Sequence, residues 1–240
     1  MGFIISNSSG TALYDLGYCA MDETDEPEVF EKNYPAIDRL YKEVKIIFDH
    51  PRSVILPFNE NVGEDPLQLL NTVYGFAGRS IAITENISAW QLKNMYAVPA
   101  ELFDWLGRKF PVAKYLHQYS VSIMNMNDAG EEGRLQVDLS NNKFTVVAGR
   151  QHKFLLAQSF EYETPGDVLF YLLKLCERSL LSPKNVSLEL SGLIDKDSSL
   201  YKELYQYFVN ISFREATWGA AGDHPAHFFT SFNDIIQCAS

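Results

Sequence analysis

The alternation of apolar and polar positions is clearest over residues 135–216. Three β-rich runs, LQVDLS, NKFTVVAG and HKFLLAQSFEY, follow one another with polar breaks at 140–142 and 150–151. Breaks that short predict two successive hairpins. TPGDVLFYLLKLCERSLL comes next. Thr164 is placed to cap a helix, Pro165 suits its first turn, and Asp167 supplies the returning carboxylate of a capping box. Val168, Leu169, Phe170, Leu172, Leu173, Leu175 and Cys176 cover most of this helix's circumference, so it is expected to lie nearly buried between a sheet and another helix. NVSLELSG (185–192) reads as a buried strand, SSLYKELYQYF (198–208) as a second helix and ISFREA (211–216) as a last strand. The order βββαβαβ predicts a mixed sheet with helices on its faces.

The first half is more broken. GFIIS (2–6) and TALYDLGYCAMD (11–22) read as strands around an Asn-Ser-Ser-Gly turn. The acidic run 22–28 is expected to be a solvated loop. Helical spacing over 29–42 is interrupted at Pro35. Strands are expected at 44–49, 53–58, 80–84 and 91–99. A helix capped by Asp65 reaches residue 74, and another over 100–110 ends at Pro111. Over 113–126 the spacing of Leu116, Tyr119 and Ile123 favours helix. NDAGEEG (127–133) is the best internal boundary, which divides the chain into an N-terminal lobe, 1–126, and a C-terminal lobe, 127–240. The two halves have similar element orders, except that the first strand of the first half is missing. GFIIS is then expected to present an open edge, completed either by residues upstream of Met1 or by a partner's strand.

Composition narrows the function classes. Of 240 residues 46% are hydrophobic and 21% charged, enough to bury a sizeable core. The net charge of -11 argues against nucleic acid and anionic lipid as partners over a wide surface. Cys19, Cys176 and Cys238 are too few and too far apart for a disulfide framework or a zinc ribbon. No apolar run reaches the roughly 20 residues that cross a bilayer, and no signal peptide is recognised, so the expected location is the cytoplasm.

Five segments carry a family resemblance: SVILPF (53–58), AVPAELFDWLGRKFP (97–111), LLAQSFEYETPGDVLFYLLKL (155–175), LELSGLIDKDSSLYKELYQY (188–207) and HFFTSFNDIIQCAS (227–240). Together they resemble a family of uncharacterised bacterial proteins with an actin-like ATPase fold. The wider superfamily includes sugar kinases and heat-shock ATPases. The resemblance implies an α/β protein of two similar lobes, each a ribonuclease H-like repeat of mixed sheet and helices. It also implies a nucleotide site between the lobes. Relatives hold phosphate at a turn of the form Asp-apolar-Gly-x-x-Thr/Ser in the second half, and adenosine at a strand ending in paired glycines. On this chain Asp138 matches the acidic position, and Ser140 stands at the glycine, followed by Asn141 and Asn142. Ser191-Gly192 stands at the paired glycines with one glycine. The phosphate loop of the first half has no counterpart. A glycine lets the backbone approach a phosphate, whereas Ser140 carries a β-carbon.

Ser140-Asn141-Asn142 is equally an ordinary hairpin turn, and that is the preferred reading. His224 and His227, with Asp223, have a spacing that suits a metal, but Asp223 near Pro225 is also helix-start chemistry, which is preferred. His50, His117 and His152 have no nucleophile motif beside them. No catalytic residue, metal or cofactor is therefore expected. The expected function is a degenerate, non-catalytic member of the superfamily, acting as a binding or assembly module with a protein partner. The alternatives are an ATP binder or slow ATPase, with nucleotide in the cleft, and a binder of another small molecule.

Overall fold

In the computed structural model of the protein, the described residues are 1–18, 27–60, 65–75, 78–126, 129–218 and 224–238. Four sheets form among them. The largest runs β10-β9-β8-β11-β12 and contains β8 (Arg134–Leu139), β9 (Lys143–Arg150), β10 (Lys153–Glu161), β11 (Ser187–Gly192) and β12 (Asn210–Phe213). The first three strands are joined by hairpins and are antiparallel, while β11 and β12 continue parallel to β8.

One face of this sheet carries α5 (Pro165–Arg178) and α6 (Ser199–Leu204). Leu135, Val137 and Leu139 of β8, Phe144 and Val146 of β9, and Leu188 and Leu190 of β11 meet Val168, Leu172, Leu175 and Cys176 there. The capping box that opens α5 is present. Asp167 N–H donates to Thr164, and the Thr164 backbone N–H donates to the Asp167 carboxylate at 2.8 Å. The expectation that α5 is nearly buried needs correction. Phe170 is 61% exposed, and Gly166, Lys174 and Glu177 share its outward stripe. Positions 166, 170, 174 and 177 recur once per turn, and only one stripe of the helix finds the sheet.

The first half divides into smaller sheets. β1 (Gly2–Ser6) pairs antiparallel with β2 (Leu13–Tyr18). Residues 19–26, which include the end of the expected second strand, Cys19 and most of the acidic run, lie outside the described residues. α1 (Pro27–Asn33) stops before Pro35, and a 3-10 turn, Pro35–Asp38, follows. β3 (Lys45–Phe48) pairs in parallel with β7 (Lys114–His117). Between them in sequence lies an antiparallel sheet of order β4-β6-β5, made of β4 (Ser53–Pro57), β5 (Ser80–Ile87) and β6 (Leu92–Pro99). α2 (Pro66–Tyr74) packs on this sheet, capped by the Asp65 carboxylate, which accepts from Leu67 N–H at 2.9 Å. α3 (Ala100–Lys109) sets Trp105 and Leu106 against Phe48, Tyr96 and Val98, and so joins the inserted sheet to β3.

Residues 113–126, expected as one helix, are β7 followed by α4 (Gln118–Met124). Leu116, Tyr119 and Ile123 do have helical spacing. The decision for 114–117 is non-local, because the edge of β3 is open to pair with it. α4 is buried on every side over Gln118–Ile123, between β5 and β7 and the far face of the large sheet. A 3-10 turn (Ala226–Phe229) and α7 (Thr230–Gln237) also reach that face. α7 then returns to the first half, where Lys45 Nζ donates to the carbonyls of Ile235 and Ile236 at 2.9 and 3.1 Å.

Candidate functional site

A groove of about 2550 Å³ opens between the end of β3 and the β8–β9 turn and continues past β1. Asp49, His50 and Arg52 line it from one side, and Asp138, Ser140, Asn141, Lys143 and Gly192 from the other. Lys143 Nζ reaches across to Asp49 Oδ2 at 2.8 Å.

Three of the residues expected from the sequence, Asp138, Ser191 and Gly192, lie together because parallel pairing puts β8 and β11 in register. Asp138 stands opposite Ser191, and Leu139 opposite Gly192. Asp138 accepts a hydrogen bond from Ser191 Oγ at 2.8 Å. Burial pushes its carboxyl up to about 6, with the Asp234 and Asp49 charges adding to the shift and Ser191 and Arg214 opposing it. Beside it Arg214 donates to Asp234 Oδ2 at 2.6 Å. Burial also raises the Asp234 carboxyl, against that pairing.

Ser140, Asn141 and Asn142 form the three-residue turn between β8 and β9. Ser140 N–H donates to the Lys143 carbonyl at 2.8 Å. The Ser140 carbonyl accepts from the Tyr162 hydroxyl at 2.7 Å, and the Asn142 carbonyl from Tyr162 N–H at 2.9 Å. Gly192 has φ +80°, and a Cβ there would stand 2.1 Å from the Leu139 carbonyl oxygen. Its lack of a side chain is thus required by the strand beside it. His227 Nε2–H donates to the Ile194 carbonyl at 2.7 Å, and its ring lies 4.3 Å from that of Phe213. His224 sits among Phe228 and Phe229, while Asp223 lies outside the described residues.

The structure also assembles a polar cluster that sequence reading passed over. His117 and His50 have ring centroids 5.0 Å apart, with Tyr96 and Tyr119 each 4.8 Å from His117. His117 Nδ1 accepts from Tyr119 N–H, so Nε2 carries the proton and donates to the His50 carbonyl at 3.0 Å. Burial holds His117 down at about 3, and it stays neutral at physiological pH. Next to it, burial raises the Glu85 carboxyl, and the neighbouring Tyr96 and Ser120 hydroxyls and His117 backbone oppose that shift. Neither Glu85 oxygen makes a hydrogen bond of full geometry. Asn94, opposite Glu85 in the sheet, donates to Ser120 Oγ at 3.0 Å. One signal was available: Glu85 occupies the same alternating phase of β5 as Ile81, Ile83 and Ile87. Nothing local pairs His50 with His117.

Chemically, the groove offers one carboxyl that titrates near neutrality. The neighbouring cations are engaged: Lys143 with Asp49, Arg214 with Asp234, and Lys45 with carbonyls of α7.

Two solved structures share this architecture. A Bacteroides thetaiotaomicron protein of unknown function with an actin-like ATPase fold superposes with a TM-score of 0.79 at 16% identity, over 99% of this chain and 91% of the other. A chain of the PilM–PilN type IV pilus biogenesis complex superposes with a TM-score of 0.57 at 12% identity, over 98% and 94%. At these identities the likeness concerns fold. No curated protein matches the chain. A family model described as protein of unknown function (DUF3822) matches residues 24–211, so the chain belongs to that family, here with an actin-like ATPase fold.

Proposed function

We propose that this protein keeps the actin-like architecture as a binding or assembly module and does not hydrolyse ATP. The turn at Ser140 carries the proposal. Phosphoryl transfer rests on donors and cations directed at phosphate. Here the Ser140 amide is bonded to Lys143, the Lys143 ammonium is bonded to Asp49, and the open side of Gly192 is filled by Leu139. These three groups are occupied within the fold. The module reading draws on fold-level analogy with the PilM–PilN complex, whose name places it in pilus biogenesis. It takes a protein partner in the cytoplasm. No helix among the described residues is long and apolar enough to cross a membrane, and the charge of -11 disfavours nucleic acid.

One observation favours the nucleotide-binding alternative. Asp138, with its carboxyl raised to about 6 at the groove floor, is a group of the kind that collects at functional sites. Turnover of ATP with magnesium, measured for the protein and for Asp138→Ala, separates the two. We expect no turnover above the blank, and no rise in Tm with millimolar ATP or ADP. Turnover that disappears in Asp138→Ala would sink the module reading and establish an ATPase. A ligand at about 100 times its Kd stabilises by roughly 2.7 kcal/mol, so nucleotide binding without turnover would be visible in the same experiment.

A further inference from the structure

β10 is the longest strand among the described residues, nine residues from Lys153 to Glu161, and it stands at the edge of the large sheet. β9 pairs with one side of it, and among the described residues no strand pairs with the other. An open edge of this length presents a row of backbone N–H and C=O groups, the arrangement that templates a further strand. Natural edges are blunted by prolines, by charges within the strand or by bulges. β10 has no proline, and residues 154–160 carry no charge. Its one bulge is at Leu155, near the hairpin end, and 156–161 keeps regular register with β9. Charge sits at the two ends and differs in sign: Arg150 and Lys153 mark the hairpin end, Glu161 and Glu163 the other. Both flanks of the edge are apolar. On one, Leu156 and Phe160 border the core beneath α5. The Phe160 ring stacks on Tyr171 with centroids 4.4 Å apart, and Tyr171 meets the 61% exposed Phe170 at 5.6 Å. On the other flank Phe154, Ala157 and Trp90 pack on the core around Ile123 and stay partly exposed.

We propose that this edge pairs with the same edge of a second copy of the chain, antiparallel about a two-fold axis near Ala157, so that two five-stranded sheets join into one. A two-fold contact requires a surface that complements itself. β10 meets that requirement in the antiparallel sense. The basic hairpin end of each copy then lies beside the acidic end of the other, whereas parallel pairing would set like charges together. A foreign strand would have to carry a matching charge pattern, and this chain carries its own match. The bulge offsets the register at each outer end by one residue, which the long Lys153 side chain spans. The strand pair alone is a small contact. A stable dimer buries about 1,200–2,000 Å² in total, and the apolar flanks extend the contact toward that size. Phe170 gains a place as well. The stripe of α5 that finds no sheet within one chain is continuous, through Tyr171 and Phe160, with the open edge. The pairing goes beyond the module reading and holds whether or not the groove takes a nucleotide.

Sedimentation and hydrogen exchange test this. The chain should sediment as a dimer, with twice the 27.3 kDa of one copy, and dissociate on dilution. Amides of β10 should exchange at least about tenfold more slowly in the dimer than in the diluted chain, because a paired edge opens only with local unfolding. Gln158→Lys puts an ammonium at an exposed mid-strand position, the device by which natural edges avoid pairing, and should leave a folded monomer. Lys153→Glu and Glu161→Lys should each weaken the dimer at least about fivefold, and the double reversal should restore it. Such a rescue cannot come from a chain that fails to fold. A monomer up to millimolar concentration overturns the proposal. A dimer that survives Gln158→Lys also overturns it, because the contact then lies elsewhere. So does a double reversal as weak as the single ones.

Discussion

The sheet of β8–β12 and the paired strands β1–β2 and β3–β7 are built of similar residues but bury them differently. In the large sheet the ladder is continuous, so α5 and α6 seal one face and side chains such as Leu135, Val137 and Leu190 are fully buried. In the first half the ladder is broken, and Ile4, Ile5 and Ile47 stay half-buried. What shelter these strands have comes from elsewhere: α3 and the inserted sheet cover Ile46 and Phe48, and α7 reaches back along β1 and β3. Hydrophobic stabilisation follows the area removed from water, so the two regions should respond differently to the same truncation.

The sharpest way to break this comparison is to delete equivalent aliphatic side chains. Leu172→Ala, beneath the complete sheet, should cost about 2–5 kcal/mol, and Ile4→Ala, in the open strand, about 1 kcal/mol. Urea denaturation measures both. Equal costs would show that β1 is as well covered as the large sheet.

Asp138 gives the next largest effect. Its folded pKa of about 6 lies above that of an unfolded aspartate, so the folded state holds the proton longer. Stability therefore falls as the pH rises between the two values, and the penalty is complete above about 6. Asp138→Asn lacks that penalty. Relative to the parent, it should gain about 2–3 kcal/mol on going from pH 4 to pH 8. A flat difference would mean that water reaches the carboxyl freely. The smallest effect belongs to the ion pair that spans the groove. Lys143→Ala should cost less than about 1 kcal/mol and lose most of that in high salt, because both partners are partly exposed. A larger, salt-independent loss would make this pair a principal clamp of the groove.

Local chemistry made parts of the fold legible. Thr164-Pro165-Gly166-Asp167 spells out the start of α5, and Asp65-Pro66 that of α2. Both depend on contacts within a few residues. The strand β7 was not legible, since its partner β3 is 69 positions away and the helical spacing of Leu116, Tyr119 and Ile123 points the other way. The outward face of α5 was misread because Phe170 adds hydrophobicity without adding a buried contact. In the groove, Asp138 and Ser191-Gly192 were picked from family resemblance. Their pairing comes from the β8–β11 register, and the use of Gly192 against Leu139 is visible only once the strands are side by side.

The reach of α7 back to Lys45 also fixes a timetable. The two groups that meet there are 190 residues apart in sequence. At about 5–20 residues per second of synthesis, β3 leaves the ribosome roughly 10–40 s before the helix that shelters it exists. During that interval Ile4, Ile5 and Ile47 stand beside open strand edges, and a nascent chain in that condition is a substrate for chaperones. Slowing translation ahead of residue 230 should lower the yield of folded protein, even though every strand has already been made.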